Sequence, residues 1–210
     1  MREGGVSIGP EDVLAGYAAA ASELIPRYEA LSTAEVLAPV AQWLPVLPAH
    51  VLDVGAGTGR DAAWLAERGH RIVAVEPVAA LRSAGMALHP SAAIDWVDDC
   101  LPLLAKVRHR SEHYDLILLD GVLHHLAPEE QAEAILSLVS MIGPFGRLIL
   151  SLRHGPTQPL RPGFPTDPDR IVKTAEKAGL RLALRRAAPS VQPENRVAGV
   201  SWTWLCLDRG

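Results

Sequence analysis

Val51-Leu52-Asp53-Val54-Gly55-Ala56-Gly57-Thr58-Gly59-Arg60 is the stretch whose reading decides the fold. A short apolar run ends at an acid, and three glycines follow at alternate positions. The pattern predicts a buried strand turning sharply into a helix, with bare backbone at the turn. A second apolar run, Arg71-Ile72-Val73-Ala74-Val75-Glu76, also ends in an acid. In an α/β fold both acids then stand at the carboxyl ends of neighbouring parallel strands, where ligands bind. The pair points to a nucleoside-containing ligand lying across those strand tips.

Outward from this stretch, strand and helix patterns alternate. Strands are predicted at 50–54, 71–76, 93–97, 114–120, 145–152, 180–186 and 200–207, with helices at 61–68, 79–88, 101–110, 128–141 and 169–178. Gly69 and Gly179 stand where helix C-caps are expected. Gly143-Pro144 marks the stop before the fifth strand. Continuous apolar strands separated by amphipathic helices predict a doubly wound α/β fold, its parallel sheet covered on both faces. Ahead of the sheet, residues 10–30 and 34–44 read as helical. Pro26 is placed to kink or restart the first segment, and Pro39 disturbs the second. Residues 154–168, with five prolines and two glycines, form the longest loop. It follows a strand's carboxyl end, where long loops often carry function. Residues 187–199 read as a second polar loop. In the last strand Trp202 and Trp204 share one face, Thr203 and Leu205 the other.

At 210 residues one domain is expected, divided into a helical cap at 1–45 and a Rossmann-like core at 46–210. A net charge of −4 argues against a nucleic-acid partner held by phosphate neutralisation. Arg181, Arg185 and Arg186 make a local basic patch whose ordinary reading is a solvated strand edge. Cys100 and Cys206 form no CxxC pair and read as small core residues, which suits a reducing, cytoplasmic location. Met1-Arg2-Glu3-Gly4-Gly5 lacks the apolar region of a signal peptide. No apolar run is long enough to span a bilayer. No dense cluster of histidines and carboxylates calls for a metal.

With these motifs in order, residues from about 45 onward resemble the class I S-adenosylmethionine (SAM)-dependent methyltransferases of small-molecule type. Asp53-Val54-Gly55-Ala56-Gly57-Thr58-Gly59 resembles their glycine-rich first motif, and Glu76-Pro77 the acidic end of their second strand. Val97-Asp98-Asp99-Cys100-Leu101-Pro102 resembles their adenine-holding segment. Tyr114-Asp115-Leu116-Ile117-Leu118-Leu119-Asp120, followed by Leu123-His124-His125-Leu126, resembles their fourth-strand motif. Gly146-Arg147-Leu148-Ile149-Leu150-Ser151 is similar to their fifth strand. The resemblance implies a seven-stranded, mostly parallel sheet whose antiparallel last strand is inserted beside strand five, with a helical cap over the ligand.

It also implies roles. The loop of Gly55, Ala56, Gly57 and Gly59 packs against the methionine half of SAM, and Asp53 orients that loop and meets the amino group. Glu76, with Pro77 beside it, accepts from both ribose hydroxyls, as an ionised carboxylate can. Asp99 or, with a one-residue shift, Asp98 takes the adenine amino group, and the Cys100 backbone faces the ring. Asp120 and Gly121 flank the methionine portion, with Leu123 nearby. Arg27 pairs with the methionine carboxylate, and Tyr17 or Tyr28 offers a hydroxyl or ring face from the cap. Arg153, His154 and the loop after them form an acceptor wall.

Methyl transfer is an in-line displacement of a good neutral leaving group, so positioning and desolvation carry most of it. An oxygen or nitrogen acceptor still has to lose a proton, and His125 or His124 is suited to take it. The product is then S-adenosyl-L-homocysteine (SAH). No Asn/Asp-Pro-Pro-aromatic sequence follows the fourth strand and no Pro-Cys pair is present, so the marks of base methylation on nucleic acid are missing. A small-molecule acceptor is expected. Two other readings compete: a non-catalytic SAM-binding protein, and an NAD(P)-dependent oxidoreductase. The dinucleotide pattern would place Gly or Ala where Arg60 stands.

Overall fold

The structure, a computed structural model, describes residues 9–209. The five N-terminal residues read for a signal peptide lie outside them. The chain runs α1 (Pro10–Ala19), α2 (Ala21–Glu29), α3 (Thr33–Val36) and a 3-10 helix (Ala38–Trp43) into the sheet. Then come β1 (His50–Val54), α4 (Arg60–Ala66), β2 (Arg71–Val75), α5 (Ala79–Leu88), β3 (Ile94–Val97), α6 (Ala105–His109) and β4 (Tyr114–Leu119). A 3-10 turn (Leu123–His125) leads to α7 (Pro128–Ser140), β5 (Ile142–His154), α8 (Pro168–Lys177), β6 (Arg181–Pro189), α9 (Pro193–Val197) and β7 (Ser201–Asp208).

The seven strands lie in the order β3-β2-β1-β4-β5-β7-β6. The first five are mutually parallel, and β7 runs antiparallel between β5 and β6. The resemblance implied this arrangement. Chain order reverses at β1, which neighbours β2 on one side and β4 on the other, so a crevice opens above their carboxyl ends. Side chains alternate between two apolar layers. Leu52, Ile117, Leu119 and Leu150 pack on one face with Ile135 and Leu138 of α7, while Val51, Leu116, Leu118 and Ile149 pack on the other with Leu65 of α4.

Four boundaries depart from the sequence reading. The break in the first helical segment falls at Ala20 (φ −93°, ψ 2°) rather than at Pro26, which lies inside α2. Turning there lets Val13 of α1 and Leu24 of α2 both enter the interior. Helix α6 is shorter than 101–110 because Asp99 sets its start: the carboxylate accepts from the backbone N–H of Lys106 (2.8 Å) and Val107 (3.0 Å). Gly143-Pro144 does not end a helix but lies within β5, where the register against β4 shifts between Tyr114 and Leu116. A Cβ on Gly146 would meet the Tyr114 carbonyl oxygen at 2.6 Å, so the irregular strand needs glycine there. Finally, β6 runs on to Pro189, and α9 occupies part of the expected polar loop.

The arginines of β6 form an exposed edge, each separately tied: Arg185 to Asp169 at 2.6 Å, Arg181 to Asp208 at 4.0 Å, Arg186 to the Pro39 carbonyl at 2.8 Å. Cys206 is buried as expected, but Cys100 is exposed. Among the described residues no helix is long and apolar enough to cross a membrane, and no group of His, Cys, Asp and Glu is arranged to hold a metal.

Candidate functional site

A cavity of about 510 Å³ opens above the carboxyl ends of β1, β2 and β4, within the usual range for small-molecule sites. Its floor is the glycine loop. The N–H groups of Gly55 and Ala56 donate to the Val75 carbonyl (2.8 and 2.9 Å), folding the loop over the end of β2. Gly55, Gly57 and Gly59 all have positive φ (73°, 58° and 77°).

Beyond their shared positive φ, the three glycines face different neighbours. A Cβ on Gly55 would come within 2.3 Å of Val122 Cγ2, so this glycine admits the chain leaving β4. A Cβ on Gly57 would lie 3.7 Å from the Tyr28 ring, at the cavity wall. A Cβ on Gly59 would strike Trp96 at 2.7 Å. Gly59 therefore faces the protein behind the loop and, unlike Gly55, Ala56 and Gly57, does not line the cavity. Gly59, expected at the ligand, thus lies behind the loop and not on the cavity wall.

Glu76 is buried, and each oxygen already accepts one backbone bond: Oε2 from Gly57 N–H and Oε1 from Val78 N–H, both at 2.8 Å. Burial raises its pKa, while these two bonds and then Arg82 oppose the rise. Pro77 lies beside it in the wall. Asp53, one strand over, is 4% exposed, and its Oδ2 has no hydrogen-bond partner. Its pKa is raised well above the carboxylate norm, by burial first and then by Asp61 and Asp120. Asp120 Oδ1 accepts from the Ser151 hydroxyl at 2.5 Å, and Ser151 Oγ in turn accepts from the Gly121 N–H at 2.8 Å.

Of the two acids after β3, Asp99 lines the cavity and Asp98 does not. Asp98 turns outward to Arg82 (3.3 Å) and Lys106 (3.6 Å). The Cys100 N–H expected to face a ring donates here to Asp99 Oδ1 (2.9 Å). Leu123 is fully buried in the core beneath the site.

The cap contributes Tyr17, Arg27 and Tyr28 to the wall. Arg27 is exposed and donates to Gln192 Oε1 at 3.1 Å. The sequence reading used Arg60 only to argue against a dinucleotide, yet it too lines the cavity, in a two-bond pair with Asp61 (2.9 and 2.8 Å). Asp61 in turn accepts from Thr33 Oγ1 at 2.7 Å, tying α3 to α4.

The two histidines have different surroundings. His124 is buried, and burial, then His125 and Arg153, push its pKa down to about 2. His125 is held at both nitrogens. Nδ1 lies 2.9 Å from the Pro162 carbonyl oxygen, which can only accept, so Nδ1 carries the proton. Nε2 then accepts from the Tyr17 hydroxyl at 2.8 Å. Burial leads in lowering the His125 pKa, and burial likewise raises that of Tyr17. This pair joins α1 to the turn after β4, and single-residue reading had no signal for it.

The loop after β5 closes the far side. Gly16 of α1 lies so close to it that a Cβ would fall 1.7 Å from the Leu160 carbonyl oxygen. The Arg161 guanidinium stands 5.3 Å from the centre of the Tyr17 ring. Arg153 and Trp202 sit opposite each other on β5 and β7 and line the same cavity. His154 instead turns to Thr203 Oγ1 at 2.8 Å.

The family described as "methyltransferase domain" matches residues 26–204. An uncharacterised methyltransferase of Bacillus licheniformis is 30% identical over 105 residues, which cover 48% of this chain and 46% of that protein. The match thus takes in about half the length of this relative. In structure the chain is similar to the 1,6-didemethyltoxoflavin-N1-methyltransferase of Burkholderia thailandensis, solved with 1,6-didemethyltoxoflavin and S-adenosylhomocysteine (TM-score 0.71, 19% identity, 97% of this chain and 92% of that one). It is similar to a TehB-like SAM-dependent methyltransferase of Corynebacterium glutamicum (TM-score 0.65, 20% identity, 89% and 97%). It is also similar to the magnesium protoporphyrin IX methyltransferase of Synechocystis with bound SAM (TM-score 0.63, 19% identity, 99% and 86%). At these identities the three structures speak for a shared fold.

Proposed function

The chain belongs to the methyltransferase-domain family, and from that premise we propose that it is a SAM-dependent enzyme methylating an oxygen, nitrogen or other nucleophile of a small molecule, as one domain. The observation that carries the reading is the buried, unpartnered Asp53 Oδ2 beside Glu76 at adjoining strand tips. A buried carboxylate oxygen without a partner is costly, and a ligand ammonium group supplies the missing donor. Glu76 keeps a second lone pair on each oxygen for a ribose diol. Gly57 leaves the backbone open between them. The residues present therefore fit SAM: Asp53, Asp120 and Gly121 toward the methionine half, Glu76 and Pro77 at the ribose, Asp99 and Cys100 at the adenine. Tyr28 and Arg27 close the cap side. The SAM- and SAH-bound structural neighbours favour the same ligand.

When bound, SAM supplies a methyl group on a positively charged sulfur. The carboxylates of Asp53, Glu76 and Asp120 favour that charge, and the cap helices exclude water. In this reading His125 is the proton acceptor, through Tyr17. The acceptor's proton passes to the Tyr17 oxygen as the Tyr17 proton passes to His125 Nε2, leaving an imidazolium that donates to Tyr17 and to the Pro162 carbonyl. His124, neutral and buried, supports the turn. Soluble, cytoplasmic action on a metabolite fits this reading.

Calorimetry with SAM and SAH, on the wild type and Glu76→Ala, tests the proposal. Loss of two hydrogen bonds to a charged group predicts at least a ~100-fold fall in affinity. Thermal melting of the variant separates loss of ligand from loss of fold. Failure of folded wild type to bind either ligand would overturn the reading and bring forward NAD(P) or a non-enzymatic role.

A further inference from the structure

We infer that the acceptor half of the cavity takes a small molecule bearing an oxyanion, a carboxylate or a phosphate, held between Arg153 and Arg161. The inference rests on the reading above, in which SAM occupies the β2, β1 and β4 tips. Those tips carry the carboxylates: Glu76 after β2, Asp53 on β1, Asp120 after β4. Beyond β4 the sign changes. Arg153 comes from β5 and Arg161 from the loop after it, and both line the same cavity. Its two halves are thus oppositely charged, one suited to a sulfonium and an ammonium, the other to an anion.

Neither guanidinium has a carboxylate partner among the described residues. Arg153 donates only weakly to the Gly155 carbonyl (3.3 Å), and Arg161 stands over the Tyr17 ring. The other cavity-lining arginines are engaged, Arg60 by Asp61 and Arg27 by Gln192. Burial lowers the Arg153 pKa, Tyr17 opposes the fall and Arg161 adds repulsion, so two like charges share one cavity wall. An oxyanion bridging them removes the repulsion and gains charge-assisted hydrogen bonds with the fork geometry guanidinium favours. Trp202, opposite Arg153 on the next strand, gives the body of such a molecule an apolar face.

The placement has a second effect. His125 is faced by Tyr17 from α1, by His124 beside it, by Arg153 from β5, and by Arg161 and the Pro162 carbonyl from the loop. Burial is the main cause of its low pKa, the Pro162 carbonyl opposes it, and the two arginines add to it. An anion that neutralises those arginines raises the proton affinity of His125. Binding of the acceptor would then strengthen the base that acts on it.

The probes are benzoate, inorganic phosphate and, as the neutral counterpart, benzyl alcohol. Each is titrated by NMR into the SAH-saturated wild type, Arg153→Gln and Arg161→Gln, with SAH affinity measured separately. Saturable binding of benzoate or phosphate, at least ~10-fold tighter than benzyl alcohol and weakened ~10-fold or more by either substitution, is expected, with SAH affinity unchanged. The preferred anion names the acceptor class. The imidazole 15N shifts of His125 should show its titration moving upward on binding. No saturable anion binding, or binding indifferent to both substitutions, would overturn the inference. So would a fall in SAH affinity in the variants, because the arginines would then be holding SAH's own carboxylate. If the wild type binds no SAH, the methyltransferase reading fails instead, and the same titrations on the free protein decide the arginine site alone.

Discussion

Asp120 shows how one residue's surroundings become a measurable pH dependence. Burial, then Asp61, raises its pKa to about 6, against the Ser151 hydroxyl and Arg60, which favour the anion. A cationic ligand prefers the ionised form, so the part of its affinity that Asp120 supplies falls below that pH, where Asp120 takes up a proton. SAM carries the sulfonium charge and SAH does not. The SAM-to-SAH affinity ratio should therefore drop as pH goes from about 7.5 to about 5; a ratio flat across that range in calorimetry would contradict this. At His125 the sign is opposite: a lowered pKa keeps the imidazole neutral where an ordinary histidine is half protonated. At about pH 6, 15N NMR should find His125 neutral with its proton on Nδ1, and Tyr17→Phe should shift only the Nε2 resonance strongly. Legibility at this scale was uneven. Asp53, Glu76 and Asp120 stand out because each ends an apolar run. At Gly59 the pattern was silent: alternate glycines do not say which one lines a cavity and which one packs on a tryptophan. Arg161 gave no signal, since a lone arginine in a proline-rich loop belongs to no period or motif.

Among the elements, α1 and the loop after β5 depend on each other. Their contact is made at Gly16, where the helix backbone approaches the Leu160 carbonyl too closely for any side chain. An alanine in a helix ordinarily adds about 1 kcal/mol over glycine. Gly16→Ala should instead push the loop away, with faster limited proteolysis within residues 155–167 and weaker SAH binding. A loop cleaved at the wild-type rate would show that the helix shifts instead. The regular elements were legible to within a few residues, since apolar runs and proline or glycine stops mark them. Three of the four departures were set by contacts distant in sequence or by tertiary geometry: Asp99 capping α6, the bulge that carries Gly143-Pro144 into β5, and the turn at Ala20. Hydrophobic periodicity is blind to all three.

In the molecule as a whole, the alternation of strands and helices was enough to expect a doubly wound sheet, but not its strand order. Periodicity says nothing about neighbours, and the antiparallel place of β7 came only from the family resemblance. The insertion puts Leu205 and Leu207 into one apolar layer and Trp204 and Cys206 into the other, so β7 completes both cores. That order also separates synthesis from assembly. β6 leaves the ribosome before β7, yet β7 is its sheet neighbour, and β5 is left with a bare edge from Arg147 to His154. During that interval a nascent chain presents an unpaired edge strand to other nascent chains and to chaperones. The exposure ends only when β7 pairs with both β5 and β6.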